Sequence, residues 1–305
     1  MFVLVLNASN VVNDGTNSSY VYNFPNSVSL TDKYIAVSSV TLYYSWFNID
    51  TKYNNISFTY TWTLGGVSTP YTINIPNGLY NISDINSYCQ FIMIQNLHYL
   101  IDNNGSNVYY FELLVNPNRY AIQLNTFSFP IALPPGWTQP AGFAGYPTQR
   151  FNPIITFPAN FNNIVGYRAN FVSNGNVNNA YTPPSTPNAS NNFVSKDGAG
   201  TLSYLSDTFP DVQPNSSIFL SISNINNPYS QPSSIIYSIT PTVAIGEQVI
   251  ERPPNFMWNK LINGTYNQLR VQFLGIDKQP VTLRDPNLTI ILSIRDKEEG
   301  FLGTK

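Results

Sequence analysis

Ile56-Ser-Phe-Thr-Tyr-Thr-Trp-Thr-Leu64 alternates without a break, with Ile56, Phe58, Tyr60, Trp62 and Leu64 separated by Ser or Thr. Successive side chains of a β-strand point to opposite faces, so this stretch predicts a strand with one apolar face and one hydroxyl-rich face. The pattern returns in Gln268-Leu-Arg-Val-Gln-Phe273 and in Asn287-Leu-Thr-Ile-Ile-Leu-Ser-Ile-Arg295, where Leu288, Ile290, Leu292 and Ile294 share a face. Strands of this kind, half-buried and antiparallel, define an all-β chain.

Working outward, the residue pattern places further strands at Ser19–Leu30, Tyr34–Trp46, Tyr71–Ile75, Val108–Val115, Tyr120–Phe127, Ser217–Ser223 and Ser234–Thr240. Weaker ones fall at Ile154–Phe157 and Leu202–Leu205. Leu64-Gly65-Gly66, Asn103-Asn104-Gly105 and Asn116-Pro117-Asn118 supply the residues tight reversals need. One segment reads as an amphipathic helix, Ser83–Ile101, opened by Ser83-Asp84, with Ile85, Tyr88, Cys89, Ile92 and Tyr99 on one side and His98 away from it. A shorter helix is predicted at Phe161–Arg168. From Phe127 to Gly200 the chain carries ten prolines and ends in the polar tract Asn174–Asn192, which predicts surface loops.

Twelve strands exceed the eight of a jelly roll. The succession strand, strand, helix, strand, strand between Ile56 and Phe127 forms a self-contained block. The expected organisation is therefore a β sandwich from 1–47 plus 128–305, interrupted by a β-rich subdomain with one helix at 48–127.

Composition narrows the function. The 305 residues are 43% hydrophobic and 14% aromatic, enough for a substantial core. Only 10% are charged, against about 25% in ordinary soluble domains, and 41 Asn and 21 Tyr fill the gap. A surface poor in Lys and Glu is inexpensive to desolvate, as the centre of a protein interface is. A net charge of −2, with acids interleaved among the basic residues, supplies no strong nucleic-acid signal. No run reaches the roughly 18 apolar residues of a membrane span, and Met1–Leu6 is short for a signal peptide's apolar region. The single cysteine excludes an internal disulfide, and intracellular production is expected.

Catalytic equipment is sparse, and no enzyme is expected. His98 is the one histidine and Cys89 the one cysteine, so a Cys/His metal site is excluded. On a continuous helix their nine-residue separation turns through about 900° and sets them on opposite sides. Cys89 reads as a small core hydrophobe and His98 as a hydrogen-bonded residue at a helix edge. No phosphate loop is present, and Gly142-Phe-Ala-Gly145 lacks the lysine such a loop needs. Ser195-Lys-Asp-Gly198 offers calcium a single acid. Nothing nominates a carboxylate pair for glycoside hydrolysis. No cofactor and no metal are expected. The Pro-rich loop carries Trp137, Phe143 and Tyr146, whose faces can stack on a sugar ring or pack the loop onto the sandwich.

The last third of the chain carries a further signature. Val243-Ala-Ile-Gly-Glu-Gln248, Pro253-Pro254, Trp258, Asn263-Gly-Thr-Tyr-Asn-Gln-Leu-Arg-Val-Gln-Phe-Leu274 and Asp285-Pro-Asn-Leu-Thr-Ile-Ile-Leu-Ser-Ile-Arg295 follow one another in that order. The arrangement resembles the C-terminal strands of the penton, or minor capsid, proteins of mavirus-like virophages and Polinton/Maverick elements. Ser38–Asn48 and Ile75–Tyr80 also resemble that family. The resemblance implies a single jelly roll with an outward insertion, a homopentamer at each icosahedral vertex, and contact with a major capsid protein. It implies residence in the virion and, for exposed loops, a host surface ligand; a jelly-roll carbohydrate-binding or attachment protein is the alternative. In the motif itself, Asp285-Pro286-Asn287 breaks one strand from the next and Asn263-Gly264 makes a turn. Leu269, Val271 and Phe273 are expected to face Leu288, Ile290 and Ile294 across a core, with Trp258 as a packing anchor. The charged run Arg295–Lys305 reads either as an arm toward neighbouring subunits or as a solvated tail.

Overall fold

The computed structural model describes residues 1–173, 201–212 and 216–297. The tract Asn174–Asn192, Ser195–Gly198 and the charged run beyond Lys297 lie outside them. The chain divides into two compact units, Met1–Phe47 with Pro214–Lys305, and Asn48–Gln213.

The first unit opens with β1 (Phe2–Leu6), β2 (Ser19–Ser29) and β3 (Lys33–Tyr43). The second holds β4 (Ser57–Leu64), β5 (Val67–Asn74), α1 (Ile82–Gln95), β6 (Leu100–Ile101), β7 (Asn107–Val108), β8 (Phe111–Asn116) and β9 (Ala121–Thr126). It continues with β10 (Ile154–Phe157), α2 (Asn162–Val165), β11 (Phe171–Val172) and β12 (Leu202–Leu205). The first unit then resumes with β13 (Ile218–Ile222), β14 (Ile235–Ile239), β15 (Gln248–Glu251), β16 (Asn259–Lys260), β17 (Thr265–Leu274) and β18 (Thr289–Asp296).

In the first unit one sheet runs β1-β18-β3-β15, with β16 also on β3, and the other runs β14-β13-β17-β2. Set aside the two-residue β16, and eight strands remain. The first pairs with the eighth, the second with the seventh, the third with the sixth and the fourth with the fifth, all antiparallel. That is one long hairpin rolled into two sheets, the jelly roll. Leu4, Leu6, Val40, Leu42, Ile290 and Leu292 from one sheet, and Tyr20, Leu220, Leu269, Val271 and Phe273 from the other, are buried side chains of this unit.

The eight sandwich strands are not the eight expected. Ile154–Phe157 pairs with β4 and Leu202–Leu205 pairs with β9, so residues 128–213 belong with the insertion and the sandwich resumes after them. Their places are taken by β1 and β15, each too short and too weakly alternating to be read as a strand without its partner.

The insertion occupies the connection between the third and fourth sandwich strands. Its ends meet at Asn48, whose Nδ2 donates to the Val212 carbonyl at 2.6 Å and to that of Tyr80 at 2.6 Å, while its Oδ1 accepts the Tyr80 N–H at 2.9 Å. Its sheets run β11-β10-β4-β5, β12-β9-β8 and β6-β7. Phe58, Tyr60 and Trp62, the apolar face of the opening quotation, are buried in one core with Ile85, Cys89, Phe111, Leu113, Ile122, Phe129, Phe157 and Tyr167.

The helix differs from its expected span. Asn81 is the N-cap, bonded reciprocally with Asp84, and the helix stops at Gln95. Leu97 takes a left-handed φ of 58°, which α-helical backbone does not accommodate, and the chain turns into β6.

Candidate assembly surface and ligand loop

The C-terminal motif lies within the jelly roll. Leu269, Val271 and Phe273 sit on β17 in one sheet, Leu288 precedes β18, and Ile290 and Ile294 sit on β18 in the other sheet; all six are buried. Asp285 Oδ1 accepts the Asn287 N–H at 2.7 Å, an Asx turn in which the Pro286 carbonyl accepts the Leu288 N–H at 2.9 Å. Asn263 Oδ1 accepts the Asp32 N–H at 3.0 Å and the Gly264 carbonyl accepts the Leu30 N–H at 2.9 Å, so this pair closes the turn between β2 and β3. A Cβ on Gly264 would stand 3.0 Å from the Tyr266 hydroxyl. Trp258 is partly exposed and lies under the Arg295 guanidinium, 4.1 Å from its ring centre, with the Phe256 ring 5.4 Å away.

The outer face of the β1-β18-β3-β15 sheet is set by register. Val5, Ile291 and Ser39 form one row, Thr289 with Thr41 and Ile250 the next, and Tyr43 with Gln248 a third. None of these side chains is charged. The first charges come at one end, in the row Arg295, Tyr34 and Lys260. The other sheet differs: Arg270 is exposed on β17 and donates to the Ser19 hydroxyl at 3.1 Å, and Lys278 stacks 3.6 Å over Phe219.

Of the ligand-loop aromatics, Trp137 is buried in the insertion's core and forms the floor of a recess of about 220 Å³ lined also by Pro130, Ile131, Leu133, Pro134 and Arg150. Phe143 and Tyr146 do not join it. Their rings pack on Phe129, each 6.1 Å centre to centre, and hold the loop to the insertion's core.

His98 lies beyond the helix, so its position relative to Cys89 is not set by helical rotation. It is buried, with its ring stacked on Trp62 at 4.4 Å and 7°, and its Nδ1 is 2.8 Å from the Tyr60 hydroxyl. Asn96 donates to the same hydroxyl at 2.7 Å, so Tyr60 donates to a neutral imidazole. Burial disfavours the imidazolium and pulls the His98 pKa down to about 4. Burial likewise pushes the Cys89 thiol well up, away from the thiolate a nucleophile needs.

A second buried polar group was hidden in the strand pattern. Glu112 and Asn116 of β8, Gln123 and Asn125 of β9 and Ser203 of β12 share one face of their sheet. Asn116 Nδ2 donates to Gln123 Oε1 at 3.0 Å, Gln123 Nε2 to Asn125 Oδ1 at 2.9 Å and Asn125 Nδ2 to Glu112 Oε1 at 2.8 Å. The Ser203 hydroxyl donates to Asn125 Oδ1 at 2.7 Å. Desolvation outweighs the Asn125 hydrogen bond and pushes the Glu112 pKa up to about 7. Period-two polar positions such as these ordinarily mark a solvent face, which is why the sequence pattern conceals the row. Among the described residues no group of three His, Cys, Asp or Glu side chains is placed to hold a metal. No helix there is long and apolar enough to cross a membrane.

No protein-family model matches the chain. No curated protein matches it either. Among solved structures it is similar to the crystal structure of the mavirus penton protein, at 10% identity over 96% of this chain and 98% of that one, with a TM-score of 0.41. It is also similar to the cryo-EM structure of the Sputnik virophage, at 10% identity over 97% of this chain and 98% of that one, with a TM-score of 0.39.

Proposed function

We propose that this chain is a structural capsid protein that closes with four copies of itself at the five-fold vertices of an icosahedral virion and contacts a major capsid protein there. Jelly rolls serve both capsids and lectins, so the fold alone does not choose between them. The observation that favours the capsid reading is the uncharged outer face of the β1-β18-β3-β15 sheet, where Val5, Ile291, Ser39, Thr289, Thr41 and Ile250 follow one another without an ionic group. Such a face can be covered without stripping water from charges. The work is done by surfaces, with assembly inside the host cell and residence in the particle.

Electron microscopy of particles with this chain labelled tests the reading: density at the five-fold vertices, five copies each, is expected. A position elsewhere on the shell would sink it. The recess lined by Ile131, Leu133, Trp137 and Arg150 offers the place for a second role, attachment to a ligand on the host surface, with the 7% exposed Trp137 forming its floor. Glycan-array binding by a chain that forms no rings, abolished by Arg150→Ala with unchanged melting, would put that reading in first place.

A further inference from the structure

The five-stranded sheet of the jelly roll has two edges, and they are unlike. At one edge β1 pairs only with β18 among the described residues, leaving its other side as an open row of backbone donors and acceptors. Val3 is 51% and Val5 47% exposed, and no residue between Met1 and Asn13 carries a charged side chain or is a proline. Natural sheets blunt such edges with Pro, Lys, bulges or a covering element. Three other edges of this chain do so. Strand β2 contains Pro25 and a bulge opposite Tyr266–Gln268, β5 contains Pro70, and the N–H of Leu113 on β8 donates to the Asn86 side chain of α1. Among the described residues strand β1 carries none of these protections.

At the opposite edge, β15 and β16 both pair with β3, but nine residues from Glu251 to Asn259 span only six of β3, from Val40 to Ile35. The surplus is pushed out of the sheet and displays Met257, 65% exposed, beside Phe256. Ile250, 54% exposed, extends the same apolar surface along β15. Trp258 turns back beneath Arg295 and anchors the base of the bulge.

Resting on the self-assembling reading above, we infer that the β1 edge of one copy receives the Phe256–Met257 bulge of the next. Two different apolar surfaces on opposite edges of one sheet make a head-to-tail contact, the kind that builds a ring, and cannot make a two-fold one with a single patch meeting itself. Half-exposed side chains of these sizes leave roughly 80 Å² each, so Val3, Val5, Ile250, Phe256 and Met257 offer roughly 400 Å² of apolar surface, a quarter of the ~1,600 Å² in a standard interface. Backbone hydrogen bonds to the open side of β1 add directionality.

The test uses two variants of the full chain. Val3→Lys with Val5→Lys guards the β1 edge, and Ile250→Lys with Met257→Lys charges the bulge; the four side chains are exposed, so unchanged melting is expected of both. By native mass spectrometry the unaltered chain should form closed oligomers and each variant should remain monomeric. An equimolar mixture of the two variants should give a one-to-one dimer and nothing larger, because it retains one intact β1 edge and one intact bulge in complementary copies. Assembly of either variant like the unaltered chain, or a mixture that stays monomeric, would overturn this contact and leave self-assembly standing. An unaltered chain that stays monomeric at every concentration, alone and with capsid partners, would remove the self-assembling reading and this contact with it.

Discussion

Replacing Glu112 by Gln should make the insertion more stable at neutral pH and leave it nearly unchanged in acid. Glu112 is 1% exposed, its Oε1 is bonded to Asn125 and its Oε2 has no partner among the described residues. Burial raises its pKa from 4.5 to about 7. A raised folded-state pKa means that the unfolded chain gives up the proton first. The favourable burial of the neutral carboxyl is complete below pH 4.5 and is lost as the pH climbs to about 7, above which both states are ionised and the curve is flat. The interval corresponds to about 3 kcal/mol. Gln keeps the shape and the acceptor toward Asn125 and does not titrate. The stability difference between Glu112→Gln and the unaltered chain should therefore grow by about 3 kcal/mol, in favour of the variant, between pH 4.5 and pH 8. Hydrogen exchange of peptides spanning β8 and β9, converted to opening free energies at the two pH values, reads this directly. A difference that does not change with pH would show that the carboxyl ionises in the folded state as easily as in water, and the burial argument would fail.

His98 supplies the opposite slope. Its pKa, lowered from 6.5 to about 4, costs stability as the pH falls through that interval, again by about 3 kcal/mol. Between pH 4.5 and 6.5 it offsets Glu112, so His98→Phe should lose roughly 1 kcal/mol for its hydrogen bond to Tyr60 while exposing a profile that only falls as pH rises; urea unfolding across pH checks it. Gly166 stands at φ +73°, and a Cβ there would lie 2.4 Å from the Thr208 carbonyl oxygen. Gly166→Ala should lower the melting temperature of the insertion by several degrees, equivalent to at least about 2 kcal/mol. The Tyr167 hydroxyl sits between β9 and β12, accepting the Leu124 N–H at 3.0 Å and lying 2.8 Å from the Tyr204 carbonyl and 3.1 Å from that of Ile122. Tyr167→Phe leaves these groups unpaired in the interior and should destabilise by about 1–3 kcal/mol in the same denaturation assay.

Legibility in the sequence followed how local each cause is. Strands β4, β17 and β18 carry both of their faces in their own alternation, and each was placed within two or three residues. Strand β1 has five residues and is held by β18, nearly the whole chain away, so nothing local distinguishes it from an apolar terminus. The same long-range dependence misassigned Ile154–Phe157 and Leu202–Leu205, whose partners in β4 and β9 are decided by three-dimensional packing. The Asn263 and Asp285 turns were readable because Asn, Asp, Gly and Pro act through their own backbone. The helix end was not, because Leu97 is an ordinary residue held at positive φ by its surroundings. That Trp137, Phe143 and Tyr146 all pack onto the insertion's core is not readable in their loop, because Phe129 and the rest of that core come from distant parts of the chain.

The Asn48 clamp gives these two units a testable independence. A long insertion disturbs its host least when its ends are adjacent, because the host then needs to bridge only a short gap. Here one side chain bonds the carbonyl of Val212 across 164 positions of sequence, and the rest of the insertion carries its own aromatic core. Joining Asn48 to Val212 by a few Gly and Ser residues should therefore leave a soluble sandwich in which the amides of β17 and β18 stay protected from exchange. Its pH profile should lose both the Glu112 and the His98 slopes, since each of those groups departs with the insertion. Loss of protection in β17 and β18 would mean that the jelly roll depends on the insertion for its own fold. In that case the hairpin of first-with-eighth strands would be a consequence of the insertion's folding and not the scaffold on which it was inserted.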